Sequence, residues 1–244
     1  MRKLLAVALS LSMAGLSLLG GDLTLTSHVT GKGAFAKEGT QIQYVSPTRM
    51  RINQEGTRID SMVDYGNGVI YAIDHGKRTI TRMTFKDLQD AMDALNGRGG
   101  AFSGMMSRMM FGDTSEVKVE QLGADTVLGR PCHKVSIRVG KMVEELSLDP
   151  SLTFPIHDYA KAMSMVNHMP GAMGEIFKKL YQEIGQLKGV PLKTHVTGLM
   201  GMDMTTEVTA VSTAVIPDSV WALPAGYKLV DGGKNMKEGL EGGH

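Results

Sequence analysis

Residues 39–83 read GTQIQYVSPTRMRINQEGTRIDSMVDYGNGVIYAIDHGKRTITRM and decide the fold. Short runs that alternate apolar and polar residues are interrupted by Ser-Pro, Glu-Gly, Asn-Gly and His-Gly-Lys, which predicts an antiparallel β-meander. The apolar residues are Ile42 and Tyr44 in the first run and Met50 and Ile52 in the second, with Gln or Arg between them. A sheet with one apolar face must cover that face with a fixed core or with a ligand.

The rest of the chain extends this sheet and adds helices. Strands are predicted near 22–30, 39–46, 48–54, 57–64, 68–74, 78–84, 115–122, 133–139, 142–148, 190–197 and 203–212. From Phe85 the apolar spacing changes to three or four residues, which predicts an amphipathic helix that ends at Asn96-Gly97. Helical inserts are expected near 85–111 and 156–188, and a polar, Gly-rich, disordered tail from 230 to 244.

The beginning of the chain is typical of a secretory signal peptide. Met1-Arg2-Lys3 is followed by small and aliphatic residues without charge until Asp22. Cleavage after residue 14, 20 or 21 fits the small-residue rule, and these alternatives stay open. A transmembrane anchor is the other interpretation, but Gly, Ser and Ala weaken the run and no stop-transfer charges follow it. Because no Cys follows the signal to carry a lipid, we expect a soluble protein in the periplasm.

Composition excludes several function classes. The chain has 26 Lys and Arg against 25 Asp and Glu, so no basic field exists to attract nucleic acid. Cys132 is the only cysteine, which excludes an intrachain disulfide, and we expect it to be a small buried hydrophobe rather than a reactive thiol. About 220 residues after the signal are enough for one domain, expected at 22–229, with its own core.

No catalytic pattern is present in the sequence. There is no Gly-x-Ser-x-Gly elbow, and Cys132 and His133 are adjacent on a predicted strand, so their side chains point to opposite faces. None of the seven His are paired at metal-ligand spacing, and the Gly-rich segments lack the continuation that a phosphate loop requires. We therefore predict a protein that is not an enzyme and has no cofactor.

Methionine is unusually abundant, with 19 Met against 5% aromatic residues. Residues 101–111 read AFSGMMSRMMF, which on a helix would form a sulfur-rich stripe next to glycines. The stripe residues are Phe102, Met105, Met106, Met109 and Met110. Such a segment suits a pliable lid over an apolar ligand better than a rigid core.

The order of parts resembles a known family. The supporting segments are Ile70-Tyr-Ala-Ile-Asp-His75, Gly129-Arg-Pro-Cys-His-Lys-Val135, Glu207-Val-Thr209 and Ile216-Pro-Asp-Ser-Val-Trp-Ala-Leu-Pro-Ala-Gly-Tyr227. Together they resemble an uncharacterised family of exported bacterial proteins, which is similar to the periplasmic lipoprotein carriers and their outer-membrane receptors, the LolA and LolB superfamily. That resemblance implies an incomplete barrel closed by helices over an apolar cavity, with acyl chains or lipid-linked proteins as partners and no catalytic residue.

The resulting fold prediction is an α+β protein whose curved antiparallel sheet of roughly ten strands is covered by helices, as a monomer. The favoured function is a periplasmic carrier for a lipid, an acyl chain or a lipoprotein, with possible transient partners in the envelope. The expected lining is Phe102, Met105, Met106, Met109 and Met110 from the lid and Ile42, Met50 and Ile52 from the sheet.

Two other functions stay open. A Cu(I)-binding protein could use thioether ligands, for which the candidates are Met105, Met106, Met109, Met110, Met200, Met202 and Met204. The neighbouring sequence lacks the His and additional Cys that usually complete such sites, so apolar lining without metal is the favoured interpretation. A scaffold of the cell envelope would have the same strands with a filled interior.

Overall fold

The computed structural model describes residues 21–32, 38–97, 108, 112, 116–153, 178–180, 182–198 and 201–241. These residues contain twelve strands of a single sheet. The strands are β1 (Leu23–Lys32), β2 (Gly39–Val45), β3 (Arg49–Gln54), β4 (Ile59–Asp64), β5 (Val69–Asp74), β6 (Thr79–Thr84), β7 (Val117–Val127), β8 (Arg130–Val139), β9 (Met142–Asp149), β10 (Val190–Thr197), β11 (Asp203–Ser212) and β12 (Lys228–Asp231). The helices are α1 (Phe85–Gly97) and α2 (Gly232–Glu241), with a short 3-10 helix at Asp218–Trp221.

Two meanders are joined edge to edge to make the sheet. The strand order is β12-β6-β5-β4-β3-β2-β1-β11-β10-β9-β8-β7, and β1 pairs with β11 at the junction of the meanders. Neighbouring strands are antiparallel except β12, which runs parallel to β6. The outermost strands, β12 and β7, do not pair with each other, so the sheet is open. The prediction of a large, mostly antiparallel, open sheet is confirmed.

The register defines an inner face of the sheet. Val45 pairs with Met50, Met50 with Val63 and Val63 with Ile70, so one row of buried apolar side chains crosses β2 to β5. On a pleated sheet, cross-strand partners project to the same side. We call this side the inner face and the opposite side the outer face.

The inner face continues into the second meander. Val29 of β1 pairs with Thr206, Thr206 with Thr194, Thr194 with Leu146 and Leu146 with Val135. Two buried apolar clusters therefore contribute side chains to this face. The first cluster includes Leu23, Leu25, Val45, Met50, Val63, Ile70, Met83, Val190, Leu192 and Val208. The second cluster includes Val135, Ile137, Val139, Met142, Leu146, Leu148, Leu180, Ile184, Val196 and Met202.

Helix α1 begins where the strand alternation of β6 ends, as predicted. Thr84 and Asp87 form a reciprocal cap, in which the Asp87 backbone N–H donates to Thr84 Oγ1 at 3.0 Å and the Thr84 N–H donates to Asp87 Oδ2 at 2.9 Å. Phe85 and Leu88 then pack against the first cluster. In the described part of the chain, the helical cover includes α1, α2 and helical residues at 178–180 and 182–184. Much of the two predicted helical inserts lies outside that part.

The disordered tail predicted from residue 230 is wrong over the described residues. Strand β12 continues to Asp231, whose Oδ1 accepts the Lys234 backbone N–H at 2.9 Å and caps α2. Met236 of α2 packs against the first cluster. The glycines that suggested disorder instead allow close approach, because a Cβ on Gly233 would lie 2.5 Å from the Asp87 carboxyl carbon.

Candidate ligand-binding face

Two of the lining residues predicted from the sheet lie together on the inner face. Met50 is buried in the first cluster and is 4% exposed, and half-buried Ile52 packs against the same cluster. Gln43, which pairs with Ile52, also belongs to this face, and its side-chain amide donates to Met50 Sδ at 3.1 Å. The inner face is therefore apolar here, with one polar side chain among the thioether and aliphatic groups.

Ile42 does not share that face. It pairs with Asn53 of β3 and with Thr26 of β1, whereas Ile52 pairs with Gln43. Because neighbouring residues of a strand project to opposite sides, Ile42 lies on the outer face. The structure thus brings Met50 and Ile52 together and separates Ile42 from them.

The predicted lid lies outside the described residues. This applies to Phe102, Met105, Met106, Met109 and Met110, to Met200 of the copper alternative, to most of the insert at 156–188 and to the signal peptide at 1–20. Their roles stay predictions.

Two methionines of the copper alternative are described, and both belong to an apolar environment. Met202 is buried in the second cluster, and Met204 packs against that cluster from β11. In the ranges that the structure covers, no group of three or more His, Cys, Asp or Glu side chains could hold a metal ion.

Glu144 is the acidic exception on the inner face. It lies on β9, where it pairs with Ile137 of β8 and Val196 of β10, two members of the second cluster. Glu144 is only 4% exposed to solvent. Over the described residues, the structure shows no hydrogen-bond donor and no cation in contact with its carboxyl group.

Desolvation controls the ionisation of this carboxyl group. Burial among aliphatic side chains raises the pKa of Glu144 from 4.5 to about 7, because the charged form loses its water and gains no partner. Strongly shifted carboxyl groups occur most often at functional sites. The alternation Met142-x-Glu144-x-Leu146-x-Leu148 is the sequence signal that could have placed Glu144 on the apolar face.

The outer face carries a polar network. Asp60 Oδ2 accepts from Arg51 at 2.9 Å and is 3.0 Å from His75 Nε2, while His75 Nδ1 is 2.9 Å from the Tyr227 hydroxyl. Arg51 also donates to the carbonyl of Val220 at 2.7 Å. The network therefore fastens the segment after β11 to the outer face.

The same segment packs through an apolar cluster. Trp221 and Ile216 are buried with Met62 of β4, and the guanidinium of Arg49 lies 5.5 Å from the Trp221 ring centroid. Through these contacts and those of Tyr227 with His75 and Arg78, the segment caps the outer face of the sheet. The hydrogen-bonded partners Arg51, Asp60 and His75 were missed, because they are distant from the turn in sequence.

A depression of about 340 Å³ also lies on the outer face, between β1 and β11. Its lining includes His28 and Glu207, which are cross-strand partners, with the threonines 30, 205 and 209. Glu207 forms an ion pair with Lys193 at 2.7 Å.

Cys132 is buried in the first cluster and is 4% exposed, as predicted. Desolvation raises the pKa of its thiol, which keeps it protonated and weakly nucleophilic. His133, its neighbour, is exposed on the other side of the strand. The two side chains do not form a catalytic pair.

Comparison with known proteins gives a family match. A family model described as "Domain of unknown function (DUF4412)" matches residues 46–227. This match confirms the predicted recognition of an uncharacterised domain family. No curated protein matches the sequence.

Several solved structures are similar in chain path. The structure of PNGF-II has 12% identity and a TM-score of 0.40, over 88% of this chain and 32% of that chain. The MucA/MucB complex of Pseudomonas aeruginosa has 13% identity and a TM-score of 0.43, over 86% and 58%. A LolA superfamily protein from Nitrosomonas europaea has 5% identity and a TM-score of 0.33, over 90% and 97%. The chain spans about one third of PNGF-II, and likeness at this level says nothing of activity.

None of the helices in the described ranges combines the length and the apolar character needed to cross a bilayer.

Proposed function

We propose that this chain, which belongs to the DUF4412 family, is a periplasmic carrier without enzymatic activity that holds an acyl chain on its inner face. The acyl chain would belong to a lipid or to a lipoprotein. The observation that carries the proposal is the continuity of the inner face, on which two apolar clusters extend across both meanders of an open sheet.

The inner face offers the chemistry that an acyl chain requires. Its side chains are aliphatic groups and thioethers, and methionine adapts to irregular apolar ligands. Burial of each methylene contributes about 0.8 kcal/mol, so a twelve-carbon chain supplies a driving force of roughly 10 kcal/mol before the costs of association. This favours a chain-like ligand over a small polar one.

A ligand can reach the inner face only if the segment that covers it moves. In this proposal the segment is 101–111, and the ligand lies between it and the sheet residues Met50 and Ile52. The proposed contacts from the segment are Phe102, Met105, Met106, Met109 and Met110. The glycines that border the segment support such a role. Ile42, on the outer face, is not part of the proposed lining.

The proposed compartment follows from the beginning of the sequence. A positive start and an uncharged run to Asp22 support export, with removal of the first 14 to 21 residues. Partners in the envelope would deliver or receive the ligand.

The test uses two isoleucines as a matched pair. Ile52 and Ile42 are both half-buried and lie on neighbouring strands, but they project to opposite faces. Ile52→Asp should weaken binding of a fluorescent fatty acyl probe at least tenfold, whereas Ile42→Asp should change it less than threefold, since aspartate interferes only where the chain binds. Equal effects of the two substitutions on binding would contradict the proposal, and so would a wild-type protein that does not bind the probe. Far-UV circular dichroism of both variants checks that the fold is kept.

A scaffold with a filled interior is the second candidate, because the described core side chains are deeply buried. Absence of any acyl ligand on the native protein, together with failure to bind the probe, would favour it.

A further inference from the structure

We propose that Glu144 binds the ammonium group of an amphiphilic ligand, so that the carried molecule is an acyl or alkyl chain with a primary amine at its polar end. This inference rests on the proposed carrier function and names the ligand class for the same inner face.

The position of Glu144 is the first argument. Its cross-strand partners Ile137 and Val196 flank it on β8 and β10, and Met142 and Leu146 flank it along β9. All four belong to the second cluster, together with Leu180 and Ile184 from the helical residues. A carboxyl group is thus surrounded by the side chains that would contact an apolar chain.

The lack of a partner is the second argument. Buried polar groups in folded proteins are normally hydrogen-bonded, and a buried carboxyl group without a donor is costly. Glu144 is 4% exposed, and no donor or cation contacts it among the residues that the structure describes. The neighbouring inner-face positions of β9, Met142 and Leu146, are apolar members of the second cluster, so the acid stands alone in this row. A function in binding explains the carboxyl group.

The charged side chains described near Glu144 lie at the surface or on the outer face. The described inner-face residues of β8 and β10 next to it are uncharged, with Thr194 as the polar one. Lys178 and Lys179 of the helical residues are exposed, and Glu183 is half-buried. The lysine of the adjacent strand, Lys134, pairs with Glu145 on the outer face at 2.8 Å. The described residues place no buried cation next to Glu144, and an ammonium group on the ligand would supply the counter-charge.

The surroundings of Glu144 favour one kind of polar group at the end of the ligand. An ammonium group would form a charge-assisted hydrogen bond with the carboxylate in a water-poor environment, which is stronger than the neutral bond that an alcohol would form. A fatty acid carboxylate would be repelled by the ionised group. Desolvation holds the pKa of Glu144 near 7, so below this pH the neutral acid must release its proton to solvent when an alkylammonium binds, while the ammonium keeps its own protons.

The experiment compares dodecylammonium and dodecanoate, each below its micelle concentration, with dodecanol below its solubility limit, by calorimetry on the full chain at pH 8. Wild-type protein should bind dodecylammonium about tenfold more tightly than dodecanol, and dodecanoate most weakly. Glu144→Gln should remove the preference for dodecylammonium and leave the affinity for dodecanol unchanged. Glu145→Gln, which alters the adjacent outer-face carboxylate, should keep the wild-type preference.

A second set of ligands distinguishes a phospholipid head group from a simpler alkylamine as the source of the amine. Short-chain phosphatidylethanolamine and phosphatidylcholine differ in their head group, which is a primary amine in one and a quaternary ammonium without N–H donors in the other. A Glu144-dependent preference for phosphatidylethanolamine assigns the amine to a phospholipid head group, whereas a preference confined to dodecylammonium assigns it to a simpler alkylamine. Both results support the inference.

Other results overturn it. Equal affinity of wild-type protein for dodecylammonium and dodecanol would overturn the ammonium site and leave the carrier function intact. The same follows if Glu144→Gln retains the preference. Failure of all three amphiphiles to bind would overturn the carrier function and this inference together.

Discussion

Asp60 and His75 are joined on the outer face, with 3.0 Å between Asp60 Oδ2 and His75 Nε2, and the same oxygen accepts from Arg51 at 2.9 Å. Through His75 and Tyr227, 2.9 Å apart, this carboxylate connects β4 to the segment that precedes β12. The network is a structural anchor that holds the segment after β11 on the outer face.

Asp60→Asn should destabilise the protein by about 3 kcal/mol, because it leaves the guanidinium of Arg51 buried without its carboxylate. Both residues are 8% exposed. Urea unfolding of the variant measures the loss. Lys86→Ala is the control, since its ion pair with Asp90 is on the surface and should contribute little to stability. A loss for Asp60→Asn no larger than that of the control would show that the network is not an anchor.

Stability should decrease with rising pH because of Glu144. Its pKa is about 7 in the folded protein and 4.5 in the unfolded chain, so the folded state binds more protons between these values. The ionised Glu144 lowers the free energy of unfolding by about 3 kcal/mol above pH 7, and this loss is absent below about pH 4.5. Glu144→Gln should therefore be more stable than wild type at pH 8, and the difference should shrink as the pH falls toward 5. Parallel stability curves for the two proteins over this range would contradict the burial of an unpaired acid.

Gly198→Ala should unfold at markedly lower urea concentration than wild type. Gly198 has a φ of +85°, and a Cβ at this position would lie 1.8 Å from the Lys141 carbonyl oxygen, so the loop would have to move. Gly201→Ala is the matched control, with a φ of +74° and nothing within 4 Å of the added Cβ. The control should cost about 1 kcal/mol for the left-handed backbone alone, and Gly198→Ala clearly more. Equal losses would show that the close approach is absent.

The Cys132 thiol should not react with an aromatic disulfide reagent in the native protein and should react fully in denaturant. It is buried in the first cluster, and desolvation raises its pKa, so little thiolate is present and access is blocked. Absorbance of the released thiolate measures the reaction. Rapid reaction of the native protein would mean that the first cluster opens.

The sequence predicted the strands well because alternation and turn residues are local signals. The strands at 190–197 and 203–212 were predicted with their observed bounds. It was harder to predict which residues of different strands share a face of the sheet. Alternation shows which residues of one strand share a face, but the register between strands decides how those faces match. The turn after Val45 pairs it with Met50, which puts Ile42 opposite Asn53 and on the other face from Ile52.

Two other features depend on contacts that are distant in sequence. Helix α2 was missed because Gly232 and Gly233 look like a linker, although they provide close contact with β6 and α1. The burial of Glu144 depends on which face of β9 meets the second cluster, and on the absence of a partner in the folded chain. The alternation of Glu144 with Met142 and Leu146 indicates which face of the sheet it lies on. The sequence does not show that Glu144 has no partner among the described residues.

Native mass spectrometry of the protein purified from the periplasm tests the central claim most directly. The account predicts a complex whose mass exceeds that of the mature polypeptide by a lipid or acyl ligand, and Ile52→Asp should reduce this complex while Ile42→Asp retains it. A wild-type protein that shows only the polypeptide mass, and still does so after incubation with excess acyl ligand, would contradict the claim that the inner face carries an acyl chain.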